Sequence, residues 1–452
     1  MKRLYHDLYQ SIRNNILTGK YAPGTKLPSS RSMAADLGVC RNTVLAAFSH
    51  LEAEGFIEAK KGSGVYVNRI QHTELPPRSQ PKRKQLIKQQ TSSPLPFYNG
   101  GVNVADFPFH EFARLAKRSF NLLKEGDYSY GDPTGYYPFK EAILSWLTLK
   151  RGIRAVPEQI IITNGSQEGI FLCAMHFHKL FSRVIMENPC YQTAKHTFKQ
   201  FFRQMQFIAV DDDGMQIDKI KTKNALVYLT PSHQFPGGQT MSIQRRLALL
   251  QKASQQNLYI VEDDFDSDFR YKGEPISSLQ GYDTCDRVVY TGSFSKILFP
   301  ALRLGYIILP LGLVEEFKKT RTLVNRQPSV LNQSITAEFI RSGRFFSHIR
   351  KMKSVYAKRK YFLETLIQKE LHPWLTLAQN HSGLQLVAYC NKQIDKQHLI
   401  KLSHDKLNLY FLSDHTEGRC KQEALLFPFA GFNEKQLREA VLLLKKYLAQ
   451  CF

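Results

Sequence analysis

Residues 71–96, QHTELPPRSQPKRKQLIKQQTSSPLP, are rich in proline, glutamine, serine and lysine and poor in large apolar side chains. Such a stretch buries too little surface to repay the entropy of ordering it, so it reads as a flexible linker and cuts the chain in two. A compact module of residues 1–70 precedes it. Residues 97–452 follow, long enough for a substantial core.

The small module carries helix signals in series. YHDLYQSIRNNILTG sets Leu8, Ile12 and Ile16 on one helical face and stops at Gly19. LPSSRSMAADLG offers Ser29 or Ser30 as a cap and Gly38 as a stop. VCRNTVLAAFSHLEAEG predicts a longer helix to Gly55 with Arg41, Asn42 and Thr43 in its first turn. FIEAKKGSGVYVN closes the module as a hairpin with a basic, glycine-containing tip. Two short helices around a glycine turn, the second opening on polar and cationic residues, form a helix-turn-helix able to enter a major groove, and the hairpin is its wing. The formal net charge of +23 suits a partner dense in negative charge, nucleic acid first, though a merely basic soluble enzyme would carry it as well; with the helix-turn-helix, the partner expected is double-stranded DNA.

Over residues 5–68, GTKLPSSRSMAADLGVCRNTVLAAFSHLEAEGFIEAKKGSGVYV included, the module resembles the GntR-type winged helix-turn-helix family. The resemblance implies that Arg31, Arg41, Asn42 and Thr43, with Lys61 and Gly62 of the wing, contact DNA. Arginine can grip a guanine edge with two bonds, while hydroxyls, lysines and backbone amides suit phosphates. Cys40 departs from the serine or threonine cap usual in that family.

In the larger part, the β-branched runs QIIITNGS, NALVYLTP, LYIVEDD and RVVYTGS, spaced by helical periods, predict an α/β domain on a buried, mostly parallel sheet. Ligands of such sheets bind at the carboxyl ends of the strands. Lys296 follows one of those ends, in TGSFSKILFPALRLGY, among small and hydroxylated residues. An amine that attacks a carbonyl must be partly deprotonated and held against it. If that carbonyl belongs to pyridoxal phosphate, three supports are needed: a carboxylate facing the pyridine nitrogen, cationic and hydroxyl donors for the phosphate, and a flat side chain on the ring. Asp263, then Arg303 with Ser293 and the Gly-Ser turn of TNGSQEGI, and Tyr191 are the candidates.

The co-linear segments YGDPTGYYPFKEAILSWLTLKRGI, IIITNGSQEGI, LTPSHQFPGGQTMS, VEDDFDSDFRY, GSFSKILFPALRLGYIILP and FIRSGRFFSHIRKMKSVYAKRK resemble the fold-type I aminotransferase domain over residues 97–360. More narrowly they resemble its version in MocR/GabR-type transcriptional regulators, where it follows a GntR-type winged helix. The resemblance implies a large domain with a mixed, mostly parallel sheet and a smaller C-terminal α+β subdomain. It assigns Lys296 the Schiff base with pyridoxal phosphate, Asp263 the pyridine nitrogen, Arg303 the phosphate and Tyr191 the ring face. Gly165, Ser166 and Gln167 match the phosphate turn, Ser293 and Ser295 the hydroxyls before the lysine. Gln234, in SHQFPGG, would approach the phenolic oxygen. Tyr128 or Tyr130 would reach the phosphate of a neighbouring subunit, since such sites lie at a homodimer interface.

Two departures matter. Phe265 stands where the family carries a tyrosine whose hydroxyl bonds the cofactor's phenolic oxygen, and Phe427-Pro428-Phe429 replaces the usual C-terminal pattern near the carboxylate clamp. Arg419 is the remaining clamp candidate and reads better as a loop charge. The seven cysteines are scattered without a C-x-x-C pair, which indicates neither a disulfide framework nor zinc and fits a reducing compartment. Asp264, Asp266 and Asp268 read as solvated or capping carboxylates, because no second ligand cluster accompanies them as a metal would need. The expectation is a bacterial, cytoplasmic DNA-binding regulator, at the nucleoid when bound, with no membrane association. It senses a small amino-group effector, or pyridoxal phosphate itself, and any transaminase half-reaction is residual. The other readings are a working aminotransferase joined to a DNA-binding domain, and a cofactor-free dimerisation scaffold.

Overall fold

The structure, a computed structural model, describes residues 2–70, 95–98, 101–379 and 381–451. The chain forms two compact units, Met1–Thr91 and Ser92–Phe452. The linker expected over 71–96 lies, for residues 71–94, outside the described residues.

The smaller unit contains helices α1 (Lys2–Leu17), α2 (Ser30–Leu37) and α3 (Arg41–Ala53), then the antiparallel hairpin β1 (Ile57–Lys60) and β2 (Gly64–Val67). Tyr9, Ile12 and Ile16 of α1 pack into one core with Val44, Ala47, Phe48 and Leu51 of α3. Leu8 is only partly buried, so the apolar face of α1 is centred nearer Tyr9 than the sequence period suggests. Ser29, rather than Ser30, caps α2: its Oγ accepts from the Ser32 amide at 3.1 Å. At the hairpin tip Gly62 and Gly64 have φ of 75° and 122°, which only glycine adopts without strain.

The larger unit is built on eight strands: β3 (Ile160–Thr163), β4 (Arg183–Asn188), β5 (Gln204–Asp211), β6 (Gly214–Met215), β7 (Ala225–Leu229), β8 (Leu258–Asp264), β9 (Val288–Ser293) and β10 (Gly305–Ile308). Their order is β3-β10-β9-β8-β7-β4-β5-β6. β10 runs antiparallel to both β3 and β9, and β6 antiparallel to β5, while the pairs from β9 through β5 are parallel. Every residue of β3, β7 and β9 is buried, as the β-branched runs require of strands covered on both faces. Helices Ser166–Phe177 and Gln192–Phe201 cover one side with Phe177, Phe198 and Phe317 in its core. On the other, Trp146, Phe139 and Phe294 surround Tyr306.

A smaller α+β subdomain completes the unit. Strands β11 (Leu375–Leu377), β12 (Gln385–Cys390), β13 (Tyr410–Phe411) and β14 (Ala424–Pro428) form an antiparallel sheet in the order β11-β12-β14-β13. Helices Arg344–Glu370 and Glu434–Cys451 pack on it through Met352, Leu363, Val441 and Leu444 against Leu386 and Phe427.

Candidate functional site

Strand alternation divides the work of Glu262-Asp263-Asp264 at the carboxyl end of β8, because neighbouring side chains leave a strand on opposite faces. Glu262 turns to one face, where its two oxygens accept the amides of Leu279 and Gln280 at 2.9 Å each. Asp264 does likewise, pairing with Arg151 at 2.8 Å and accepting Ser267 Oγ at 2.8 Å and the Tyr290 hydroxyl. Asp263 alone points the other way, accepting the Tyr228 hydroxyl at 2.6 Å. The solvated or capping role expected of Asp264 and Asp266 gives way to a buried one: Asp264 is 8% exposed and Asp266 4%. Each has a partner at hydrogen-bonding distance, which for Asp266 is His233 Nδ1, 2.9 Å from both of its oxygens.

A cavity of about 550 Å³ opens at this edge of the sheet. Asp263, Lys296, Arg303, Tyr191, Gly165, Ser166, Gln167, Ser293 and Ser295 all line it. All but Arg303 come from the carboxyl end of a strand: β3 for the Gly-Ser turn and Gln167, β4 for Tyr191, β8 for Asp263 and β9 for the two serines and the lysine. Register does the rest. Asp263 is the parallel neighbour of Thr291, so Lys296, just beyond β9, emerges beside the carboxylate's strand. Arg303, at φ 53°, ends the turn that sends the chain back along β10, and its Nη2 donates to the Asn164 carbonyl at 2.6 Å. Gly305 allows that close approach, for a Cβ there would meet the Gly165 carbonyl carbon at 2.6 Å. The Ser293 and Ser295 hydroxyls are 2.9 Å apart.

Burial sets the charges. It lowers the pKa of the Lys296 ammonium, with the field of the Asp266 carboxylate opposing it. It raises Asp263 to about 7, with the Tyr228 hydrogen bond working against it and the fields of Asp264 and Asp266 adding to it. Behind the Gly165-Ser166 turn Arg321, fully buried, pairs at 2.7 Å with Glu168, which accepts the Asn164 amide at 2.6 Å. That pair fixes the carbonyl to which Arg303 is bonded.

Gln234 does not line the cavity. Its amide nitrogen donates to the carbonyls of Pro189 and Phe235 at 2.8 Å, and its oxygen accepts from Gly237, so it braces its own loop. Tyr128 and Tyr130 are exposed and do not line the cavity formed by this chain. Arg419 is exposed and also lies outside it. Phe265 does line the wall, edge-on to Phe235 at 5.7 Å. Pro428, one of the departures noted in the sequence, lines it too, and sequence reasoning missed Tyr98, Thr230, Phe235, Leu384 and Gln385, as well as the buried pair of Asp266 with His233.

The residues fit pyridoxal phosphate on two observations. Asp263 Oδ1 and Gln167 Oε1 are buried without a hydrogen-bond partner, an arrangement that costs free energy until a donor arrives. The amino end of helix Ser166–Phe177, entered through Gly165 at φ 92°, offers backbone amides to an anion beside Arg303.

On the smaller unit Arg31, Arg41, Asn42, Lys61 and Gly62 are exposed, and Thr43 is half-buried. Arg41 Nε donates to Ser30 Oγ at 3.2 Å, tying the first turn of α3 to the start of α2. Cys40 makes no capping bond to the backbone of α3; its sulfur sits 3.0 Å from Thr43 Oγ1. Among the described residues no helix is long and apolar enough to cross a membrane, and no cluster of three metal-ligating side chains is present.

This geometry defines a winged helix-turn-helix unit joined to an aminotransferase-like unit, and comparison with known proteins agrees on both. Residues 4–67 match the bacterial regulatory proteins of the gntR family, and residues 101–442 match aminotransferase class I and II. The chain belongs to the MocR-type helix-turn-helix regulators. It is 33% identical to the probable rhizopine catabolism regulatory protein MocR of Rhizobium meliloti, covering 97% of this chain and 92% of that protein. It is 32% identical to the helix-turn-helix regulator YdeL of Bacillus subtilis, covering 98% and 96%. A kynurenine aminotransferase from Pyrococcus horikoshii shares the fold at a TM-score of 0.73 and 23% identity, over 80% of this chain and 92% of that one.

Proposed function

We propose that this regulator reads a small amino compound through pyridoxal phosphate held in the 550 Å³ cavity, and converts its occupancy into a change in operator binding. The observation that carries the reading is the unpartnered Asp263 Oδ1, in a cavity lined also by a buried lysine and an arginine beside a helix amino end. Pyridoxal phosphate supplies an aldehyde carbon that an amine can occupy reversibly. Lys296 is the resident amine, and burial keeps a larger share of it neutral at physiological pH than an exposed lysine would have. Asp263 holds the proton on the ring nitrogen. Arg303, Ser293, Ser295 and the turn Gly165-Ser166-Gln167 hold the phosphate, and Tyr191 covers the ring. Arg31, Arg41, Asn42, Thr43, Lys61 and Gly62 make the DNA contacts, and duplex DNA as partner places the protein in the bacterial cytoplasm.

Sensing is favoured over turnover by Phe265, which has no hydroxyl to tune the cofactor's phenolic oxygen. For an effector to switch the protein it must bind two arrangements with different affinity, since equal affinity shifts nothing. The test uses full-length protein loaded with pyridoxal phosphate and a duplex that the protein itself selects from a random pool. Lys296→Ala is expected to abolish the visible absorption band and the response of DNA binding to amines, while retaining DNA binding in their absence. A variant that keeps both the band and the response overturns the reading.

A further inference from the structure

The charges around the cavity are unevenly distributed. Among the described residues that line it, the cationic side chains are Lys296 and Arg303, and both are already engaged if the cofactor reading above holds, on which this inference rests. The wall contributed by the small subdomain is Leu384, Gln385 and Pro428, and none of these is a cation. Pro428 ends β14 and has no amide hydrogen to offer. Arg419, in the loop before β14, is exposed and outside the cavity. The lining also holds two acids: Asp263, engaged by the cofactor on the same reading, and Asp266, 4% exposed, whose field reaches Lys296. His233 approaches Asp266 from behind, and Gly383, next to Leu384, packs so tightly on that imidazole that a Cβ would fall 1.9 Å from Cε1. The acid is therefore fixed in place by the subdomain that forms the far wall.

A carboxylate entering with the amine would be buried without a cation and within reach of a like charge, which is costly. An ammonium or hydroxyl on the same skeleton would meet Asp266. We propose that the effector is a primary amine lacking a carboxylate, carrying a second cationic or hydrogen-bond-donating group that Asp266 receives.

Two amines and their carboxylated counterparts test this: butylamine with norvaline, and putrescine with ornithine. Each is titrated into full-length protein loaded with pyridoxal phosphate. The visible spectrum and the operator mobility shift are both read, and each spectral midpoint is normalised to the compound's reaction with free pyridoxal phosphate. Both amines are expected to act at concentrations at least about tenfold below those of their counterparts, the equivalent of about 1.4 kcal/mol. Putrescine is expected to act at several-fold lower concentration than butylamine, and Asp266→Asn to erase that difference. Norvaline or ornithine acting at equal or lower concentration than its amine overturns the inference, as does an intact visible band that none of the four compounds alters. A protein with no Lys296-dependent band fails at the earlier step and takes this inference with it.

Discussion

Asp263 carries opposite demands in one carboxyl group: Tyr228 donates to one oxygen, and the other is buried without a donor. With its pKa at about 7, against about 3.9 for an aspartate in an unfolded chain, the folded protein holds this proton more tightly than the unfolded one. The group therefore favours folding fully below pH about 4, and that contribution is lost as the pH rises to about 7. Glu187, likewise pushed by burial to about 7, adds the same slope. Cofactor-free protein should melt at lower temperature at pH 8 than at pH 5. Asp263→Asn should reduce that dependence by on the order of a few kcal/mol, as followed by calorimetry at the two pH values; an unchanged slope would locate the titration elsewhere. Cofactor, by placing a donor on Oδ1, should reduce it in the wild type as well.

At the level of elements, what was legible in the sequence was what lies within one short stretch. The Gly-Ser turn after β3, the acidic end of β8 and the lysine after β9 are each a strand end followed by polar residues, so chain order alone places them at one edge. Asp266 meets His233 because β8 and β7 are paired neighbours, and Leu384, Gln385 and Pro428 reach the cavity through the packing of the small subdomain; no local pattern is a guide to either. Gln234 misled for a related reason: its place in the loop was readable, but the direction of its amide is decided by the carbonyls of Pro189 and Phe235. The uncapped start of α3 gives a further test. Cys40→Ser supplies an oxygen suited to the free amides of the first turn and should stabilise the small unit by about 1 kcal/mol, measured by thermal unfolding of the full chain followed at that unit. Destabilisation would mean that the contact of the sulfur with Thr43 Oγ1 is worth more than a cap.

For the whole molecule, the excess of 62 lysines and arginines over 39 aspartates and glutamates belongs with duplex DNA. Operator affinity should fall steeply and log-linearly with salt as phosphate contacts release counterions, and Lys61→Ala should lessen the slope by roughly one ion. A salt-independent affinity would separate the charge from the function. The parallel core was legible because its central strands run in apolar residues up to their polar ends. The reversal at β10 was not legible, since a buried strand reads the same in either direction. That reversal has a mechanical consequence. Because β9 returns through one tight bend and not through a crossover helix, Lys296 and Arg303 ride on a single short arch, residues 294–304. If both ends of a cofactor are held there as proposed, a compound that unseats the first should tug on the mooring of the second, and chemistry at one end of the ligand should be felt at the other.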